Sequence, residues 1–369
     1  MIVVRRFLCL FGILAAGFGS LAWASDRPLV FGYAAWWVPQ SETLLSLPDV
    51  DRLKFMELRL SPQGRIANRH GWPEQWTALR EGAANLGIPL DVAVTLFSPD
   101  DFNALFGSSE RVQRLEKEML SLVQDKFVAG IHLDVEIFAP VLAEAAQRYR
   151  AFVVSLSGQL KQQSPVKSLS VFLNHAADVY LYDAESLVGV DHVILQGYDA
   201  HWVDGDVAGP LGPLSGPDTI TWQKMWATAQ KLGLPPQRVL MGFPTYGYEW
   251  TVKPCSPRGK RIAPGEITVF GRVLLPQAPN LRSSVMGRVL AHGVQYDDIS
   301  GSAYYTVGAA NGSCVVGWFE DWWTLNRKID WLISQQLAGI AFFPLGYDNG
   351  TLVNTASRRF RQLSPTMTK

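Results

Sequence analysis

Net charge is what this chain lacks: 33 Lys and Arg stand against 33 Asp and Glu in 369 residues. Nucleic acids and anionic membranes are bound through many basic contacts, so neither is the expected partner of so balanced a surface. Cysteine is scarce, three in all, and the six His are scattered without H-x-x-x-H or H-E-x-x-H spacing. No metal site is therefore expected. A G-x-S-x-G elbow is missing, and no Gly-rich dinucleotide turn follows the first apolar run, so no organic cofactor is expected either. The chain shows no internal repeat, low-complexity tract or separate binding module.

Long apolar stretches are confined to the start. Arg5-Arg6 lead into an apolar stretch from Phe7 to Trp23, and Ala22-Trp23-Ala24 precede Ser25-Asp26. That is the build of a secretory signal peptide, residues 1–24. An uncleaved anchor is the alternative, for which the stretch is barely long enough. Cleavage removes two Arg and no acid, leaving 31 basic against 33 acidic residues. The mature protein, residues 25–369, is expected as a monomer in a periplasm or outside the cell, with no membrane contact. Cys9 lies too early for a lipid acceptor, and Cys255 and Cys314 remain. An even number in an exported chain suggests one disulfide, with two separate thiols as the alternative.

What the chain does have is aromatic rings and alternation. Thirteen Trp, eleven Tyr and eighteen Phe are many for the length. Sugar rings stack on such faces, although most aromatics serve a core. Short apolar runs at 29–33, 53–60, 90–97, 130–137, 168–173, 192–198, 239–246 and 339–344 read as strands. Helical patterns at 73–86, 111–125, 141–162, 219–232 and 322–336 fall between them. Eight strands with interleaved helices argue for an α/β fold, a closed (β/α)8 TIM barrel, over an open doubly wound sheet. The spacing breaks once: residues 247–317 are rich in Pro, Gly and short β-like runs without a long helical pattern, and read as a small inserted α+β or β subdomain.

The fourth strand carries the chemistry. In Gly130-Ile131-His132-Leu133-Asp134-Val135-Glu136 the side chains alternate, so His132, Asp134 and Glu136 share one face. Two carboxyls this close oppose each other's ionisation and can hold a shared proton near neutral pH, which acid-assisted cleavage of a glycosidic bond requires. Glu57 and Arg59, two apart in the second strand, are expected to form a structural ion pair in the barrel floor. His132 is placed to donate a hydrogen bond to Asp134 and tune it.

The same segment resembles the D-G-x-D-x-D-x-E motif of glycoside hydrolase family 18, the chitinases and related endo-N-acetylglucosaminidases. Gly130, Asp134 and Glu136 agree, while Ala129 and His132 stand where the family has its first and second Asp. Gln196-Gly197-Tyr198-Asp199 is similar to a further family motif, and Gly242-Phe243-Pro244-Thr245-Tyr246-Gly247 to another. The resemblance spans roughly Phe31 to Asp348 and looks nearest the spore-cortex and cell-wall-lytic branch. It implies Glu136 as general acid and Asp134 as its partner, with the Tyr198 hydroxyl reaching the substrate's acetamido group. It also implies a cleft lined by Gln196, Asp199, Tyr246, Trp36, Trp37 and Trp202. Phe343 stands where that branch carries a Trp beneath the −1 sugar. An insertion after the seventh strand often walls the cleft in this family, and Cys255 and Cys314 would tie its ends. The implied activity is retaining, substrate-assisted hydrolysis of a β-linked N-acetylhexosamine glycan. Peptidoglycan or an exopolysaccharide is favoured over crystalline chitin because no chitin-binding module is attached. A catalytically silent glycan-binding protein is the alternative, against which the presence of Glu136 counts.

Overall fold

The computed structural model describes residues 27–271, 281–308 and 310–363. The expected signal peptide lies outside the described residues. Eight strands form the barrel: β1 (Leu29–Ala35), β2 (Arg52–Leu60), β3 (Leu90–Leu96), β4 (Val128–Val135), β5 (Ser168–Leu173), β6 (His192–Leu195), β7 (Val239–Pro244) and β8 (Gly339–Phe343). Each runs parallel to the next, and β1 pairs with both β2 and β8, so the sheet closes. Helices including Thr77–Asn85, Ser109–Leu122, Ala143–Lys161, Trp222–Lys231 and Trp322–Ser334 return the chain between strands.

Period-two alternation sorts the side chains into two cores. On β4, Ile131, Leu133 and Val135 point outward and are buried with the helices' apolar faces. Phe31, Tyr33, Ala35, Met56, Phe172 and Ile194 fill the interior, and this second cluster continues through Tyr198 into Tyr246, Tyr248 and Trp250. Those last three belong to a separate six-stranded sheet. Its strands lie, in spatial order, at Leu281–Ser284, Glu266–Val269, Tyr246–Val252, Cys314–Phe319, Ser302–Gly308 and Gln295–Asp297. The inserted sheet is thus joined to the barrel by a continuous apolar contact rather than by its connecting chain alone.

Several expected boundaries move. The sixth strand ends at Leu195 rather than 198, and the seventh ends at Pro244. Tyr246, expected in the seventh strand, opens the inserted sheet, which reaches Phe319 and includes the helix Val285–His292. A proline at 244 cannot donate to the ladder, and the chain leaves the barrel there. Among the helices that were not expected, two have clear starts. Pro99–Phe106 begins with Ser98, whose side chain accepts from the Asp101 amide, and Thr351–Leu363 begins over Asp348, whose carboxylate accepts from the Gly350, Leu352 and Val353 amides. Both start on recognisable caps. The expected 219 start moves to Trp222, because Thr221 is the residue that caps, accepting from Lys224 N. Cys255 and Cys314 form a disulfide, with Cα atoms 5.0 Å apart. It joins the chain just past the first strand of the insertion to its last strand, where Cys314 pairs with Val252.

Candidate active site

The barrel interior is polar in layers. At its base the Asp91 carboxylate accepts from Arg52 at 2.6 and 2.7 Å and from Lys54 at 2.9 Å. Burial pushes the Lys54 ammonium down to about 8 although Asp91 holds it up. Lys54 also donates to Ser170 Oγ at 2.8 Å, and Ser170 Oγ lies 3.0 Å from His132 Nδ1. On the other side of the ring, His132 Nε2 lies 2.9 Å from the Tyr33 hydroxyl. Both nitrogens of His132 are therefore engaged by Ser170 and Tyr33. The expected hydrogen bond from His132 to Asp134 is not formed. Burial, then the Lys54 charge, holds the imidazole well below its ordinary value, so it is neutral.

One strand step higher lie the two acids. Asp134, next to last in β4, faces inward and is 3% exposed; Glu136 follows the strand, its amide donating to Leu96 O at 3.0 Å. Burial, then the Glu57 charge, raises the Asp134 carboxyl to about 7, with Lys54 opposing. Glu136 is pushed well above its ordinary value by burial, then by Asp134, Asp199 and Glu57. One oxygen of Asp134, Oδ1, has no hydrogen-bond partner among the described residues. The pair is thus short of charge compensation, and both carboxyls are shifted toward their protonated forms. A carboxylic acid kept protonated there can act as a general acid.

Glu57 is not in the floor. Its Oε2 accepts from Thr95 Oγ1 at 2.6 Å, its Oε1 accepts from Arg59 at 2.7 Å, and Thr95 is the register partner of Asp134. Glu57 is buried at 3% exposure whereas the Arg59 side chain is half exposed at 51%, so the ion pair runs from the barrel mouth to solvent. A shift in register between β2 and β3 turns Glu57 inward at this level.

The residues after β6 and β7 complete the mouth. Asp199, at φ 60°, accepts at Oδ1 from the hydroxyls of Tyr246 and Tyr248 at 2.7 and 2.9 Å. Tyr248 was missed in the sequence, although Tyr246 and Tyr248 are two apart and so share a strand face. Tyr198 stacks on Phe343 with centroids 5.7 Å apart at 11°, and its hydroxyl makes no hydrogen bond to a described residue. Phe343 also meets Tyr33 and Trp37 edge-on. Trp37 is held by its indole N–H donating to the Tyr347 hydroxyl at 3.1 Å. Trp36 is 40% exposed and stacks on His70 at 4.1 Å. Gln196 is turned to the neighbouring loop, its Oε1 accepting from the His175 amide at 3.1 Å. Trp202 is 53% exposed and shares no ring contact with this group among the described residues.

The chain is similar to known proteins over most of its length. The family described as "Glycosyl hydrolases family 18" matches residues 72–348. A cortical fragment-lytic enzyme of Bacillus anthracis is 22% identical over 261 residues, 68% of this chain and 54% of that protein, so the chain spans about half the length of this relative. Among solved structures, the spore cortex-lytic enzyme SleL of Bacillus megaterium superposes with a TM-score of 0.69 at 16% identity, covering 90% of this chain and 75% of that one. A chitinase from Cycas revoluta in complex with allosamidin superposes with a TM-score of 0.72 at 16% identity, covering 89% of this chain and 99% of that one. With the family pattern running from Trp72, ahead of the helix that follows β2, to the loop beyond β8, and with two carboxyls at the mouth of the closed barrel, this chain belongs to glycosyl hydrolase family 18.

Proposed function

We propose that the protein is an exported, retaining hydrolase of β-linked N-acetylhexosamine glycans in or around a bacterial cell wall. The observation that carries this reading is the pair at the barrel mouth, Asp134 buried and Glu136 part-buried, both shifted toward their protonated forms. Glu136 gives its proton to the leaving oxygen. The substrate's 2-acetamido oxygen attacks the anomeric carbon, Asp134 steadies the cyclised cation, and the free hydroxyl of Tyr198 holds the acetamido group. The Tyr198–Phe343 stack offers the apolar floor for the sugar. The printed names of the cortex-lytic relatives support a wall glycan, and the disulfide supports export to an oxidising compartment.

Glu136→Gln is the test. The amide keeps the shape of the side chain and has no proton to give, so hydrolysis of a panel of purified peptidoglycan and amino-sugar oligomers is expected to fall by about 10²–10⁴ or more. Products are read by mass. A variant that cleaves the best substrate at the wild-type rate removes Glu136 from the acid role.

A further inference from the structure

His132 leaves Asp134 without a carboxyl partner one step deeper on its strand, since the imidazole is neutral and both its nitrogens are bonded elsewhere. A carboxylate nevertheless stands beside Asp134, on β2. Between β2 and β3, Phe55 pairs with Val92 and Leu58 with Val94, so three steps on one strand match two on the other. Phe55 and Leu58 both face the outer core. The extra residue therefore leaves two successive side chains, Met56 and Glu57, turned from that core, Met56 into the interior cluster and Glu57 onto Thr95. Regular alternation would have offered only one inward position there.

We propose that Glu57 is a positioning residue of the active centre: a fixed negative charge, delivered by the bulge in β2, that supplies across the barrel the carboxylate partnership with Asp134 that residue 132 does not. The proposal rests on the reading of Asp134 and Glu136 as the acid pair. Each Glu57 oxygen accepts a hydrogen bond, from Thr95 and from Arg59, which is the bonding of a charged carboxylate held in one orientation. Its charge is felt by both acids.

The other groups facing this cluster do not offer the same control. From β1, Tyr33 is raised and neutral, as are Tyr149, Tyr182 and Tyr198, which also sense the Asp134 charge. From β2, Lys54 supplies the opposing cation, tied to Asp91 on β3. His70, in the loop after β2, lies 3.6 Å from Glu57 and is lowered by burial, so it is neutral at neutral pH. Asp199, beyond β6, acts on Glu136 and is itself raised by burial while Tyr246 and Tyr248 hold it down.

The test is the pH dependence of kcat/KM for charge changes of opposite sign. Glu57→Gln removes a negative charge and keeps an acceptor for Thr95, so the protonated pair is lost at lower pH. The alkaline limb is expected to move down by roughly one pH unit. Arg59→Glu, at a half-exposed position, makes the same corner more negative and moves that limb up. Glu57→Asp, which keeps the charge, returns the limb toward wild type. A purely structural Glu57 would lower the melting temperature or the height of the profile without moving the limbs in opposite directions. Profiles that superimpose, or that shift the same way in both variants, overturn the proposal. Should Glu57→Gln fail to fold, the Arg59→Glu limb alone decides, upward in support and unmoved or downward against. A Glu136→Gln variant assayed in parallel separates the two claims, because its inactivity upholds the acid pair whatever the Glu57 variants do.

Discussion

Asp91 is the residue on which the lower barrel turns. It is fully buried and is the shared anion of Arg52 and Lys54, so replacing it by Asn would leave two interior cations without their carboxylate. Burial works against its ionisation, but Arg52 and then Lys54 outweigh burial and hold the carboxyl far below the usual range. A depressed value in the fold means a stabilising contribution that is fully present above the ordinary carboxylate range, about 4. It is lost as the pH falls toward the folded value. Asp91→Asn is expected to cost about 3–5 kcal/mol at pH 7, measured by denaturant unfolding, and to flatten the acid side of the stability curve. Equal stability and an unchanged acid limb would show that the cations find other partners. The acid pair at residues 134 and 136 was legible in the sequence because Asp134 sits on one strand and Glu136 directly follows its end, so alternation carries both to one face. Glu57 was not legible as a neighbour of Asp134, because its inward turn depends on a register shift against β3 that no single strand's pattern contains. His132 was seen to face inward, yet its partners Ser170 and Tyr33 come from β5 and β1, and only closure of the barrel brings them to the ring.

Among the elements, the strands were read best, since buried parallel strands are continuous apolar runs. The misses have local causes. Ser98-Pro99 is an N-cap followed by a proline in the first turn, a clear helix start hidden by the strand just before it. Asp348 caps the last helix from just beyond the end read for the eighth strand, in a stretch without a helical pattern before it. The insertion hid its first residue because Tyr246 follows β7 after a single residue, and two strands in near succession read as one run. Its disulfide ties first strand to last across 59 residues and closes the sheet whose Tyr246 and Tyr248 hold Asp199. A loop of this length contributes roughly 4 kcal/mol in the chain-entropy model. Intact mass is expected to rise by two hydrogens on reduction. The Cys255→Ser, Cys314→Ser double variant should lower the melting temperature and raise KM more than it lowers kcat, since the loosened sheet carries the tyrosines that hold Asp199 and not the acid pair. A fall in kcat alone would place the sheet in the chemistry itself.

The whole molecule sets its carboxylates unevenly around one opening. Asp134 and Glu136 come from a single strand end, so they lie on one side of a bound sugar ring and cannot flank the scissile bond as acid and nucleophile. The described carboxylates that share the mouth with them are Glu57, committed to Thr95 and Arg59, and Asp199, committed to Tyr246 and Tyr248. Each is held by donors that a nucleophile would have to give up. The attacking atom is then expected to come from the substrate, and the Tyr198 hydroxyl, free of any described partner, is the group placed to orient it. An N-acetylated amino sugar at the cleavage point should therefore be obligatory, and a thiazoline mimic of the cyclised intermediate should inhibit. The measurement is turnover of matched oligosaccharides with and without the acetamido group, each titrated with the thiazoline. Efficient cleavage of the plain glucan, insensitive to the thiazoline, would overturn substrate assistance. It would then require Asp199 or Glu57 to leave its tether and act as the second carboxylate, a rearrangement that Asp199→Asn and Glu57→Gln would expose as complete losses of glucan turnover rather than shifts in its pH dependence.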